Sequence, residues 1–127
     1  MIPTLSAIEE SWVPTQQDFD DFARLSGDDN PIHVDPDFSA STRFGRTVSH
    51  GMLLYSRVYG LLRRHWPGAF HEMQSLMFPN PSYAGEELLF RLSPAADDPN
   101  RIQVEVSRKA DGLVTLSGEC LISGDIQ

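Results

Sequence analysis

The stretch SHGMLLYSRVYGLLRRHWPG, residues 49–68, constrains the fold more than any other part of the chain. At about 100° per residue, Ser56, Arg57, Gly60, Arg63 and Arg64 fall in one arc of a helix, and Leu54, Tyr55, Val58, Tyr59, Leu61, Leu62 and Trp66 fill the wider remainder. A helix that is apolar over more than half its circumference has to be wrapped by other elements. Pro67 and Gly68 stop it, and beyond them the apolar period changes to two. MQSLMF, ELLFRL, RIQVEVSR and LVTLSGECLIS all read as strands, the last two joined by KADG, a good hairpin turn. One long, mostly apolar helix beside several antiparallel strands is an α+β arrangement in which a sheet wraps a central helix.

The first part of the chain is mostly helical. Ser6 to Val13 suits a short edge strand. Thr15 then suits an N-cap, with Asp18 as a weaker partner in a capping box and Phe19, Phe22, Ala23 and Leu25 as an apolar stripe that Gly27 ends. The stretch LSGDDNPIHVD follows, and Pro31 pushes Asn30 out of the α region, which predicts an extended loop. At 127 residues, with no repeat, linker or low-complexity tract, the chain reads as one domain, residues 1–127.

Several functions are excluded early. The net charge of −8 argues against nucleic acid, whose backbone needs clustered cations. Nine of the ten basic residues are Arg, so a polyanionic ligand would need a local arginine patch. No apolar run reaches membrane-spanning length, and MIPTLSAIEESW lacks the basic start and apolar stretch of a signal peptide, so a cytoplasmic protein without a membrane partner is expected. Cys120, the only cysteine, excludes an internal disulfide and sits in an alternating stretch as a packed strand residue.

Asp28 and His33 stand five residues apart in one loop, where a carboxylate and an imidazole can share proton transfers with a water. Asp, Asn and Gly are also common turn formers, so Asp29 and Asn30 alone would make an Asx turn. Gly51 opens the apolar helix, whose first N–H groups lack internal partners and can stabilise a negative oxygen; a glycine there also admits a carbonyl closely, or simply permits tight packing. An oxyanion site with an acid/base pair is what addition of water to a conjugated thioester requires.

FARLSGDDNPIHVDPDFSASTRFG followed by SHGMLLYSRVYGLL resembles the signature of the MaoC-like, (R)-specific enoyl-CoA hydratase family, and FPNPSYAGEELLFRL resembles its proline loop and Gly-acidic turn. The resemblance covers nearly the whole chain. It implies a hotdog fold, a homodimer, and reversible hydration of a trans-2-enoyl thioester with no metal and no redox cofactor, the coenzyme A or acyl carrier arm being part of the substrate. Asp28 and His33 would be the catalytic pair, Asn30 a polar support that orients it, and the Gly51 amide the oxyanion donor. His50 would border the substrate and orient the loop. Tyr59 and Leu62, about 12 to 17 Å along the helix from Gly51, would meet the acyl chain. Arg43 and Arg46, with Arg57, Arg63 and Arg64 nearby, would attract phosphates. The chain departs from the family pattern at Asn80, at Glu86 in the Gly-acidic turn, and at Tyr59, bulkier than a small acyl-facing residue. His65 is expected to contact the helix dipole and His71 to be exposed. A hotdog thioesterase and a non-enzymatic acyl-thioester-binding subunit are the alternatives; the first leaves the SGDDNPIH motif unexplained and the second predicts loss of Asp28 or His33.

Overall fold

A computed structural model describes residues 7–124 of the chain. Five strands form one antiparallel sheet in the order β1-β3-β4-β5-β2: β1 Ile8–Trp12, β2 Ala69–Gln74, β3 Leu88–Ala95, β4 Asp98–Arg108 and β5 Val114–Gly124. The helices are α1 Gln16–Ser26, α2 Pro31–Val34, α3 Pro36–Ala40 and α4 Gly51–His65. The sheet wraps α4, which is the hotdog arrangement. Leu54, Val58, Leu61, Leu62 and Trp66 meet Leu88, Phe90 and Leu92 of β3, Ile102, Val104 and Val106 of β4, and Leu116, Cys120 and Ile122 of β5 in one core. Each such side chain contributes about 1.5–3 kcal/mol by leaving water. Polar residues such as Arg91, Gln103 and Glu105 alternate with these on the outer face.

The expected edge strand is β1, paired with β3 from Ile8↔Leu92 to Trp12↔Leu88; Ser6 lies outside the described residues. α1 is capped as its sequence predicts, with the Asp18 N–H donating to Thr15 Oγ1 and the Thr15 N–H to the Asp18 carboxylate. Phe19 and Ala23 are buried, but Leu25, one residue from the end of α1, is 86% exposed and leaves the expected stripe.

Two elements differ from the sequence-based expectation. The segment after Asn30 is a helical turn rather than an extended loop. Asn30 does stay outside the α region (φ −53°, ψ 133°), as a residue before proline should. From there its Oδ1 accepts the Ile32 N–H and caps α2, with Pro31 at the first helical position, where its missing N–H costs nothing. Asp35 and Pro36 repeat the device for α3. The strand expected over MQSLMF begins earlier, at Ala69, and ends at Gln74. There the chain crosses β5 so closely that a Cβ on Gly118 would lie 1.9 Å from the Ser75 carbonyl oxygen; past Gln74 the contact continues through the Ser75 N–H on the Glu119 carbonyl and a bridge between Met77 and Ser117. Glycine at 118 is what permits this crossing.

Tyr59 is the third correction. Its helical angle predicts the apolar arc, yet it is 44% exposed, its ring lying 4.8 Å from that of His71 and 6.3 Å from that of Tyr55. The polar arc is largely tied down: Arg57 and Arg64 pair with Glu10 of β1, and Arg63 donates to the Ala69 carbonyl. Among the described residues no helix is long and apolar enough to cross a membrane.

Candidate active site

α2 holds His33 by its backbone and by its ring. Gln16 of α1 donates its Nε2–H to the His33 carbonyl at 2.8 Å and is itself bound by the Thr47 hydroxyl at 2.7 Å. The His33 Nδ1 lies 2.8 Å from the Val48 carbonyl oxygen, which can only accept, so Nδ1 carries the proton and Nε2 keeps its lone pair. That lone pair is on the side of Asp28, whose carboxylate oxygen is 3.8 Å from Nε2. The separation is too long for a direct hydrogen bond and leaves both atoms able to bind one water. His33 is buried, while the Asp28 side chain is 55% exposed.

His50, the residue before α4, is 2% exposed and stacks on His33 with ring centroids 3.8 Å apart at 23°. Its Nε2 donates to the Asp28 carbonyl oxygen at 2.8 Å, and its Nδ1 is buried with no partner among the described residues. Burial holds its pKa below the ordinary 6.5, reinforced by the neighbouring His33 and opposed by the bond to the Asp28 carbonyl. Three potential metal-ligating atoms, one each from Asp28, His33 and His50, lie within 4.8 Å of one another. The stack argues against a shared ion, because near-parallel ring planes 3.8 Å apart do not meet at one point along both lone pairs.

Gly51 begins α4 beside this group. The first backbone N–H groups of a helix have no intrahelical partner, and the dipole there favours negative charge. A Cβ on Gly51 would stand 2.8 Å from the Phe78 ring, so that ring packs directly against the helix start. Asp28, His33, His50, Gly51, Arg43 and Phe78 border one cavity of about 410 Å³.

The remaining sequence-predicted residues are distributed differently. Asn30 does not line the cavity; it caps the turn that carries His33. Arg43 borders the cavity and has no ion-pair partner among the described residues. Arg46 does not border it: its guanidinium is 2.6 Å from Glu86 and stacks on Tyr83 at 4.1 Å. The longer acid in the Gly-acidic turn thus has a partner. Leu62 is fully buried in the core and Tyr59 lies on the surface beside His71, so neither reaches the cavity. His71 is half-buried rather than exposed, with Nδ1 4.0 Å from the Cys120 sulfur, and burial lowers its pKa. His65 is exposed in the last turn of α4.

Sequence reasoning missed three participants. Phe78 falls where the strand MQSLMF meets the proline loop FPNPSYAGEELLFRL, with no signal that its ring packs on Gly51. Asn80 was noted as a departure, but its role, donating to the Val114 carbonyl at 2.8 Å to hold the proline loop on β5, had no local signal. Gln16 had none either, since the bonds that bring it to the site join it to residues 17 and 31 positions away.

The family model described as MaoC like domain matches residues 5–114. An (R)-specific enoyl-CoA hydratase of Aeromonas caviae is 37% identical over 106 residues, 80% of this chain and 79% of that protein. A mitochondrial 3-hydroxyacyl-[acyl-carrier-protein] dehydratase of Arabidopsis thaliana is 33% identical over 118 residues, covering 88% and 71%. The solved structure of the R-hydratase PhaJ1 from Pseudomonas aeruginosa in its unliganded form superposes with a TM-score of 0.88 at 27% identity, over 99% of this chain and 84% of that one.

Proposed function

The chain belongs to the MaoC-like domain family, and on that premise we propose that it is a hydro-lyase that adds water across the double bond of a trans-2-enoyl thioester to give the (R)-3-hydroxyacyl thioester, and catalyses the reverse dehydration. The names of these two relatives describe the two directions of this one reaction. The observation that carries the proposal is the pair of proton acceptors facing each other across 3.8 Å, the His33 Nε2 lone pair and the Asp28 carboxylate, in a cavity bordered by the first residue of α4.

One water bound between Asp28 and His33 loses a proton to the pair as its oxygen attacks C3 of the thioester. Electron density moves to the thioester oxygen, and the N–H of Gly51 with the α4 dipole stabilises it. The proton then returns from the pair to C2, so the elements of water are added with nothing left over. Asn30 supports the pair through its cap on α2. Addition of water to a conjugated thioester moves protons only, and it needs no metal or redox cofactor. Arg43 is the cation available for a phosphate of coenzyme A or of an acyl carrier arm.

A homodimer is part of the proposal. Among the described residues β2 ends the sheet with one edge unpaired, Phe70 on it is 69% exposed, and Met73 and Met77 beside it are exposed too. An apolar edge of this kind needs a cover, and a second copy of β2 would supply one. The whole chain, 1–127, acts as a single domain in this scheme.

The test is to follow crotonyl-CoA and longer enoyl-CoA esters by loss of enoyl absorbance, with chiral analysis of the product and a thiol assay on the same samples. Formation of (R)-3-hydroxyacyl-CoA without free coenzyme A is expected. Free coenzyme A would make the protein a thioesterase, and binding without turnover would make it the non-enzymatic subunit.

A further inference from the structure

We propose that His50 is a positioning residue for the Asp28/His33 pair: as an Nε2–H donor it fixes the Asp28 backbone and the plane of the His33 ring relative to the start of α4. The inference deepens the hydratase reading and takes His50 away from the substrate. With 2% of the residue exposed, Nε2 engaged and Nδ1 buried, His50 offers a ligand no free polar atom.

Asp28 needs such a tether. It follows Gly27 at the end of α1, its neighbours Asp29 and Asn30 are exposed, and its own N–H bonds only to Ser26, two residues back. The bond from His50, 22 residues along the chain, is the long-range hydrogen bond to Asp28 among the described residues. The same ring closes over His33 at 3.8 Å and packs edge-on against Phe22 at 4.9 Å. Because His50 is also the residue before Gly51, one side chain links the acid, the base and the helix start.

Histidine meets all of these requirements together. Glutamine or asparagine would supply the donor without a flat face, and phenylalanine the face without the donor. The titratable groups facing the ring are Asp28 from the loop and His33 from α2, while α1 presents only Phe19 and Phe22. Protonation of His50 would put an N–H on the buried Nδ1, which has no acceptor, and a charge against His33. The neutral ring is therefore the working form.

The experiment uses ring-¹⁵N histidine spectra and backbone amide exchange on the wild-type protein, His50→Phe and His50→Gln, beside crotonyl-CoA kinetics. The wild-type protein should show His50 neutral with Nε2 protonated and Nδ1 bare. Exchange at Asp28 and Asp29 should quicken in His50→Phe, which loses the donor to the Asp28 carbonyl, and less in His50→Gln, which keeps one; the His33 titration should move in both. The kcat should fall by about 10- to 100-fold with KM within about twofold, the scale for a small misplacement of a reacting group. A merely structural role would lower melting temperature and leave the His33 titration and kcat of folded protein unchanged, and that result overturns the proposal. So does a wild-type spectrum with the proton on His50 Nδ1, which needs no variant to fold. If the wild-type protein hydrates no enoyl thioester, the hydratase reading fails, while the spectra and exchange still decide the positioning role.

Discussion

Gly51→Ala separates packing from chemistry at the start of α4. The added Cβ would sit 2.8 Å from Phe78 Cε1 and 2.9 Å from Cδ1 and Cζ, where ordinary contact begins near 3.4 Å. The ring must therefore retreat by roughly 0.6 Å or more to restore normal contact. Phe78 is 45% exposed, so it can tilt toward solvent, and a displaced rotamer costs about 0.5–1.5 kcal/mol. Alanine's preference for helix returns up to about 1 kcal/mol, so the melting temperature should hardly move. Turnover should suffer far more, because the methyl group occupies the approach to the amide meant to stabilise the thioester oxygen. Loss of one oxyanion donor costs about 10²- to 10³-fold in kcat, or about 2.7–4 kcal/mol, and that is the fall expected at saturating crotonyl-CoA. Thermal melting and steady-state hydration on the same preparation measure both quantities. A folded Gly51→Ala protein with near-normal kcat would refute the assignment of this amide as the oxyanion donor.

Three further outcomes are expected. Because Arg43 alone of the suspected arginines borders the cavity without an ion-pair partner, KM for an enoyl-CoA should rise with ionic strength in the wild-type protein and lose most of that dependence in Arg43→Gln, with kcat little changed; equal salt dependence in the two proteins would dismiss the contact. Tyr59 lies on the surface beside His71, so Tyr59→Ala should leave the ratio of octenoyl-CoA to crotonyl-CoA turnover unchanged, whereas a shift toward long chains would return it to the acyl pocket. Burial holds the pKa values of both His50 and His71 below 6.5 in the folded protein, so below that pH the unfolded chain binds more protons. Their contribution to stability is present above 6.5 and is lost as pH falls toward the folded values, which urea melts at about pH 7.5 and about pH 5.5 should register as a lower midpoint at the acid end.

The parts of the molecule legible in the sequence are those set by local rules. The capping box at Thr15, the left-handed cap at Gly27, the start of α4 at Gly51 and the period-two strands all come from spacing within a few residues. The corrections arise where distant chain intervenes. Pro31 was rightly read as restraining Asn30, but Ile32 and His33 turn helical because the Asn30 side chain caps them and Val48 and Gln16 hold them from far along the chain. The start of β2 depends on pairing with the far end of β5, Ala69 facing Gly124, and its end on the crossing over Gly118. Angle alone puts Tyr59 in the apolar arc, but its ring rests on His71 of β2 and stays 44% exposed, outside the core. Of the arginines, only contacts with Glu10 and Glu86 could reveal which were already paired. The Asp28 and His33 pairing was suggested by one short loop, whereas the stacking of His50 on His33 is a product of the fold, 17 residues apart in sequence.

The pair itself is tested most directly by kcat for crotonyl-CoA hydration in Asp28→Asn and His33→Ala, each shown by circular dichroism to be folded. Both substitutions keep the backbone that forms α2 and remove one of the two proton acceptors facing each other across 3.8 Å. A fall of roughly 10²- to 10⁴-fold in each is expected, the usual worth of a positioned general acid or base. Turnover within a few-fold of the wild-type protein in either variant would contradict the assignment and send the search for the water-activating group elsewhere in the cavity.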